Sequence, residues 1–210
     1  MCNLYRITKS MDEIAHLFDA AAESGSNAGG EIFPGYPGLV VAGSPGPVLI
    51  RTMVWGFPLA RTGAKGQPLK PKPINNTRAD KLGADFWRPS FRARRCLIPL
   101  GAFAEAEGPI GGKTRTWLAV SGAPVTAIAG VWRESVEWGA CYSMVMTDAC
   151  IDMGDIHDRM PVILAPEDQA AWLVGTPEEA LALCRPFTGE LHIERTSEPW
   201  AGSVQPRLPL

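Results

Sequence analysis

Cysteine at position 2 is the residue whose type and place promise the most chemistry. A start methionine is removed efficiently before a small second residue, so the mature chain is expected to begin with Cys2. A terminal cysteine carries an amine and a thiol on adjacent carbons. The amine has an ordinary pKa of about 7.7–8.0 and is partly unprotonated at neutral pH. The thiol sits near about 8.5 and gains reactivity where a cation lowers that value. An amine and an aldehyde give a Schiff base, and the thiol can then close on the same carbon as a five-membered thiazolidine. The plainer alternative is an ordinary small cysteine following the start residue.

Three further groups could move protons or hold a substrate. Glu105, in G-A-F-A-E-A, is flanked by apolar residues that would desolvate its carboxyl and raise its pKa toward that of a general acid; a surface Glu on an edge strand is the alternative. His157 is either a proton shuttle or a hydrogen-bonded core residue. Asn75 and Asn76 precede Arg78, so an amide could orient a carbonyl or hydroxyl while the guanidinium forks onto a phosphate. Histidines at 16, 157 and 192 lack metal-ligand spacing, and Asp148, Asp152, Asp155 and Asp158 lack the calcium-loop pattern. No metal and no cofactor are expected, and the four aspartates read as capping and solvated loop.

The elements that position these groups follow from composition and patterning. The 210-residue chain is 46% hydrophobic and 20% charged, which suffices for a sizeable core and excludes general disorder. No apolar run is long enough for a membrane span, and Asp12 and Glu13 interrupt any leader-like stretch, so a soluble, cytoplasmic protein is expected. Five cysteines without a C-x-x-C pair argue against a disulfide framework or a zinc knuckle.

The net charge of −2 conceals a strong asymmetry. Residues 51–95 hold eleven Lys or Arg against Asp80 and Asp85, a balance of +9 that leaves −11 for the remainder. Such a segment attracts phosphates, or is simply a solvated basic face. Of the seven tryptophans, most read as core, and one beside the basic segment, such as Trp55, could stack on a base.

A capping box, Ser10 and Glu13, predicts a helix over 10–24. Residues 25–38 read as loop, and 61–73 as a mobile basic loop rich in Gly, Pro and Lys. A helical turn within 79–91 should end at Pro89. Strands are expected over 39–42, 48–55, 95–100, 116–121, 125–132, 141–147 and 191–196, with short helices over 166–174 and 177–184 opened by proline. Strands that do not alternate with helices predict one α+β domain over 1–210, built on mostly antiparallel, curved, barrel-like sheet with peripheral helices.

Taken together, Met1-Cys2, W-G-F-P at 55–58, N-T-R-A-D at 76–80, F-R-A-R-R-C-L-I-P at 91–99, Glu105 and I-H-D-R-M-P-V-I-L at 156–164 resemble the SOS response-associated peptidase family. The family senses abasic sites in single-stranded DNA. The resemblance implies loss of Met1 by self-processing or by an aminopeptidase, and a covalent thiazolidine crosslink from Cys2 to the opened abasic sugar. It also implies a possible lyase activity.

Carried over by position, Asn76 would hold the opened sugar or the amino terminus. Glu105 would move protons during ring opening and closure, and His157 would assist Schiff-base formation. Arg78 would bind the flanking phosphate, with Thr147, Trp55 and Pro34 near the DNA. The chain departs from the family pattern at Asn3-Leu4, where an arginine is usual, and at Ala106, where an aromatic residue follows the acid. Two alternatives remain beside the crosslinking enzyme: a non-catalytic single-stranded DNA-binding module, and an amidohydrolase whose nucleophile is Cys2.

Overall fold

Apolar and β-branched residues recurring between Gly and Pro turns build most of the chain into strand, and the computed structural model describes residues 2–23, 29–43 and 46–200. In chain order the strands are β1 (Tyr5–Ile7), β2 (Ala21–Ala22), β3 (Gly30–Ile32), β4 (Pro37–Ala42), β5 (Leu49–Trp55), β6 (Phe57–Thr62), β7 (Pro68–Ile74) and β8 (Asn76–Arg78). They continue as β9 (Arg95–Leu100), β10 (Ala102–Glu107), β11 (Thr114–Val120), β12 (Thr126–Ser135), β13 (Gly139–Asp148), β14 (Arg159–Pro161), β15 (Ile163–Leu164) and β16 (Leu191–Pro199). The helices are α1 (Met11–Leu17), α2 (Arg88–Ala93), α3 (Pro166–Val174) and α4 (Pro177–Ala182).

The sheet order β13-β12-β9-β4-β5 closes on itself, because β5 also pairs parallel with β13 at Val54↔Cys141 and Trp55↔Tyr142. A five-stranded sheet, ordered β16-β11-β10-β1-β3, packs beside this barrel. The result is the single α+β domain with curved sheet that the strand pattern predicts. β13 has different neighbours at its two ends. One edge pairs with β12 up to Met144 and then with β14 from Met146; the other pairs with β5 and then, over Met144–Met146, with β8. The far end of β13 therefore brings the strand of Asn76 and the strand just after His157 to either side of it.

Several local expectations give way to tertiary structure. Ser10 and Glu13 do form the capping box, but the helix ends at Leu17, and Asp19 takes a left-handed conformation with φ of 45° before the chain turns into β2. Pro89 opens α2 in its first turn and does not end a helix, since its missing N–H is no loss there. The 61–73 segment, expected as a loop, is largely a two-stranded antiparallel hairpin of β6 and β7. Arg95 does not belong to the basic surface. It is buried and donates to the carbonyls of Phe91, Trp172 and Gly175, satisfying backbone groups near the ends of α2 and α3.

One buried contact joins the five-stranded sheet to the barrel. The hydroxyls of Tyr5 on β1 and Tyr142 on β13 are hydrogen-bonded at 2.5 Å, both fully buried. Gly38 on β4 lies beneath them, and a Cβ there would run into both oxygens. Gly38→Ala should therefore destabilise the fold by about 1–3 kcal/mol through overpacking, read as a lower midpoint in chemical denaturation. A variant as stable as the parent would show that the tyrosine pair is free to move.

Candidate functional site

Cys2 lies just before β1, where the chain runs antiparallel to β10, with Ala104 N–H donating to Leu4 O at 2.9 Å. Its side chain is fully buried within the main hydrophobic cluster, and Sγ–H donates to Leu4 O at 3.4 Å. Burial, reinforced by the charge of the nearby Glu105, pushes the thiol pKa well up. The sulfur is thus held as a neutral thiol, the reverse of activation by a cationic neighbour. Met1 lies outside the described residues.

Two amides fix the Cys2 backbone. Its carbonyl accepts from Asn76 Nδ2 at 2.6 Å and from Asn75 Nδ2 at 3.0 Å, and Asn75 also reaches Asn3 Oδ1 at 3.0 Å. The motif singled out Asn76, whereas Asn75 was visible only as its neighbour; the pairing of Asn75 with residue 3 closes across some seventy positions. Asn76 Oδ1 is buried and has no hydrogen-bond partner among the described residues, which leaves an acceptor beside the Cys2 backbone.

Trp55 has a different place from the one expected of a base-stacking residue. It is fully buried, packs edge-on against Tyr5 with ring centroids 5.0 Å apart, and donates Nε1–H to Asn75 O at 2.9 Å. It positions the asparagine strand and offers no face to a ligand.

Glu105 stands on β10 opposite Thr116 and is 4% exposed, so the edge-strand surface alternative fails. Burial raises its pKa to about 7, with Asp158 adding to the rise and Lys113 opposing it. His157 is partly exposed. Burial lowers its pKa, Asp158 raises it, and Arg159 and Lys113 lower it. Glu105 and His157 feel the same two neighbours, Asp158 and Lys113, and so share one electrostatic environment.

His157 Nδ1 accepts from Arg159 N–H at 2.9 Å and also stands 2.9 Å from Asp158 Oδ1. One nitrogen cannot serve both at once. The neutral ring accepts from Arg159 and carries its proton on Nε2; the protonated ring donates to Asp158. Because burial outweighs the carboxylate, the neutral form is favoured.

Next to this group lies an open cleft of about 630 Å³, lined in part by Arg78, Thr147, Asp148, Phe91 and Arg159. Thr147 is buried at the end of β13, and its hydroxyl donates to Cys184 O at 3.3 Å. Arg78 is exposed on β8 and forks onto Asp80, both contacts at 2.8 Å. Arg159, which the sequence reading passed over inside I-H-D-R-M-P, pairs with Asp148 at 2.5 Å. An anion entering the cleft must compete with these carboxylates for both guanidinia.

Pro34 lies in the turn between β3 and β4, and Gly35 N–H ties that turn to Trp55 O at 2.7 Å, at the end of β5. The acidic residues 148–158 are dispersed, with Asp148 on Arg159 and Asp152 accepting from Leu191 N–H at 3.0 Å. Among the described residues no group of three or more His, Cys, Asp or Glu could hold a metal ion.

The raised pKa of Glu105 has a consequence for stability. A carboxyl whose folded pKa exceeds its unfolded one stabilises the fold fully below about 4.5, the unfolded value, and loses that contribution as pH climbs through about 7. Glu105→Gln should therefore gain on the parent between pH 4.5 and 8, by on the order of 2–3 kcal/mol, in thermal or urea unfolding. A pH-independent difference would mean that the carboxyl is not desolvated.

Comparison with known proteins agrees with this arrangement. The model of the SOS response associated peptidase (SRAP) family matches residues 1–199. Curated relatives include the abasic site processing protein YoqW of Bacillus subtilis (strain 168), 27% identical over 82% of this chain and 80% of its own. Another is YoaM of the same organism, also named an abasic site processing protein, 28% identical over 82% of this chain and 79% of its own. Among solved structures, a protein of Bordetella bronchiseptica superposes with a TM-score of 0.75 at 20% identity, covering 93% of this chain and 99% of that one. A protein of Bacteroides thetaiotaomicron gives 0.74 at 18% identity, covering 92% and 91%. These two likenesses bear on the fold. With the family match running from the first residue through the last strand, across the asparagines, Glu105 and His157, this chain belongs to the SOS response associated peptidase family.

Proposed function

We propose that this protein processes abasic sites in single-stranded DNA, in the cytoplasm, by forming a covalent thiazolidine crosslink through Cys2 once Met1 has been removed. The observation that carries the reading is the junction of three groups. The Cys2 carbonyl is clamped by the Asn75 and Asn76 amides, its thiol is buried, and the thiol feels the charge of a carboxyl whose own pKa is about 7. The names of the curated relatives point to the same substrate.

In this reading Glu105 acts first as the acid that donates a proton to the sugar ring oxygen while the abasic sugar opens to its aldehyde. The freed α-amine of Cys2 then adds to the carbonyl carbon. Loss of water from the carbinolamine gives the Schiff base, and His157 handles the proton that leaves with the hydroxyl. The Cys2 sulfur finally bonds to the imine carbon. Its proton passes by way of Glu105, now a carboxylate, to the nitrogen, so no proton is lost overall.

A buried neutral thiol suits this order. It stays out of reaction until an electrophilic carbon and a base stand beside it. The pKa of about 7 lets Glu105 serve as acid and as base at neutral pH. Asn76 Oδ1 can accept from a sugar hydroxyl or from the amine. Arg78 and Thr147 in the adjoining cleft are the groups for the flanking phosphate, and the self-processing peptidase and lyase activities belong to the same reading.

The mature protein, incubated with an oligonucleotide bearing one abasic site, should give an adduct that survives heating. Cys2→Ala should give none, and Glu105→Gln should slow formation by on the order of 10²-fold. Intact-mass measurement should show a chain beginning at Cys2. Retained Met1 would block the amine and overturn the crosslink reading. Salt-dependent binding with no adduct would favour a binding module instead.

A further inference from the structure

The β6–β7 hairpin is unlike the rest of the surface. Residues 57–74 contain Arg61, Lys65, Lys70 and Lys72 and no Asp or Glu, within a chain of net charge −2. All four cations are exposed, and none has an acidic partner among the described residues. The other cations of the basic segment are often compensated: Arg51 pairs with Glu23, Arg78 and Lys81 with Asp80, and Arg88 with Asp85. Uncompensated positive charge is thus gathered on one ribbon.

That ribbon starts from the candidate site. Ile74 runs directly into Asn75 and Asn76, and at the other foot Gly56 N–H is tied to Tyr142 O at 2.7 Å. β6 pairs only with β7, and at six residues the ribbon reaches about 20 Å, the span of about six phosphates along one duplex strand. Leu59 faces Lys72 and Arg61 faces Leu69 across the pair, so cations and exposed leucines share a face.

We propose that this hairpin is a phosphodiester-binding arm that holds the DNA backbone beside the Cys2 site. The proposal rests on the reading of DNA as the substrate. Lysines and prolines on a bare strand edge also prevent edge-to-edge pairing, and that role alone predicts no effect on DNA affinity.

The test uses oligonucleotides carrying a tetrahydrofuran abasic analogue, which has no aldehyde and cannot crosslink. Binding is measured against salt for the parent, for R61S/K65S/K70S/K72S and for the charge-keeping K65R/K70R/K72R, with thermal melting confirming folded protein. Each phosphate contact contributes about 0.7 to the slope of log K against log salt on single strands and about 0.9 on duplex. The neutralised variant should lose between about 1 and 3 slope units on a single strand, or up to about 3.6 on a lesion flanked by duplex. The larger loss identifies which form of DNA the arm holds.

A loss below about 1 on both DNAs overturns the proposal, as does an equal loss in the charge-keeping variant or a parent that binds neither DNA. Adduct formation is assayed separately with true abasic DNA at saturation. Absence of adduct with the slope change intact refutes the crosslink while leaving the arm.

Discussion

β13 has only two edges, and each can be hydrogen-bonded once at any position along it. Near its middle those edges serve to close the barrel, through β12 on one side and β5 on the other. Beyond Met144 both partners leave, and the freed edges must be paired again because unpaired buried backbone is costly. β8 takes one edge and β14 the other. The candidate site exists because of this exchange: β8 begins with Asn76, His157 comes two residues before β14, and Thr147 lies on β13 itself. The Cys2 segment then closes over the asparagines through its own carbonyl.

The groups so assembled are kept in their uncharged forms. Burial raises the thiol of Cys2 and the carboxyl of Glu105 and lowers the imidazole of His157, each shift disfavouring the charged state. Neutral partners can sit close together without mutual repulsion, and each can move a proton near pH 7 with little rearrangement. Asp158 and Lys113, which act on both Glu105 and His157 with opposite signs, leave burial as the deciding influence.

Charge is organised on the outside in a complementary way. The cleft guanidinia of Arg78 and Arg159 are already held by Asp80 and Asp148, which fixes their geometry and makes anion binding an exchange. The hairpin cations have no such partners and remain hydrated. A backbone approaching from solution would meet the hairpin first and the cleft second, an order consistent with long-range attraction followed by specific contact.

Much of this was legible in the sequence. The capping box at Ser10 and Glu13, the proline-opened helices α3 and α4, and strand β9 all follow from local patterning, since their causes lie within a few residues. The motifs around Cys2, Asn76, Glu105 and His157 also identified the family, because residue type and spacing survive where overall identity is low.

Local pattern did not show that Trp55 would be sealed beneath Asn75, that Arg95 would be spent on three carbonyls, or that a Gly- and Pro-rich stretch would pair as a hairpin. Those outcomes depend on partners far away in the chain, which only closure of the barrel brings near. By itself the sequence determined which chemical groups the protein possesses and the order in which they occur. The tertiary structure decided which of them lose water, and burial is what turns an ordinary thiol, carboxyl and imidazole into a site.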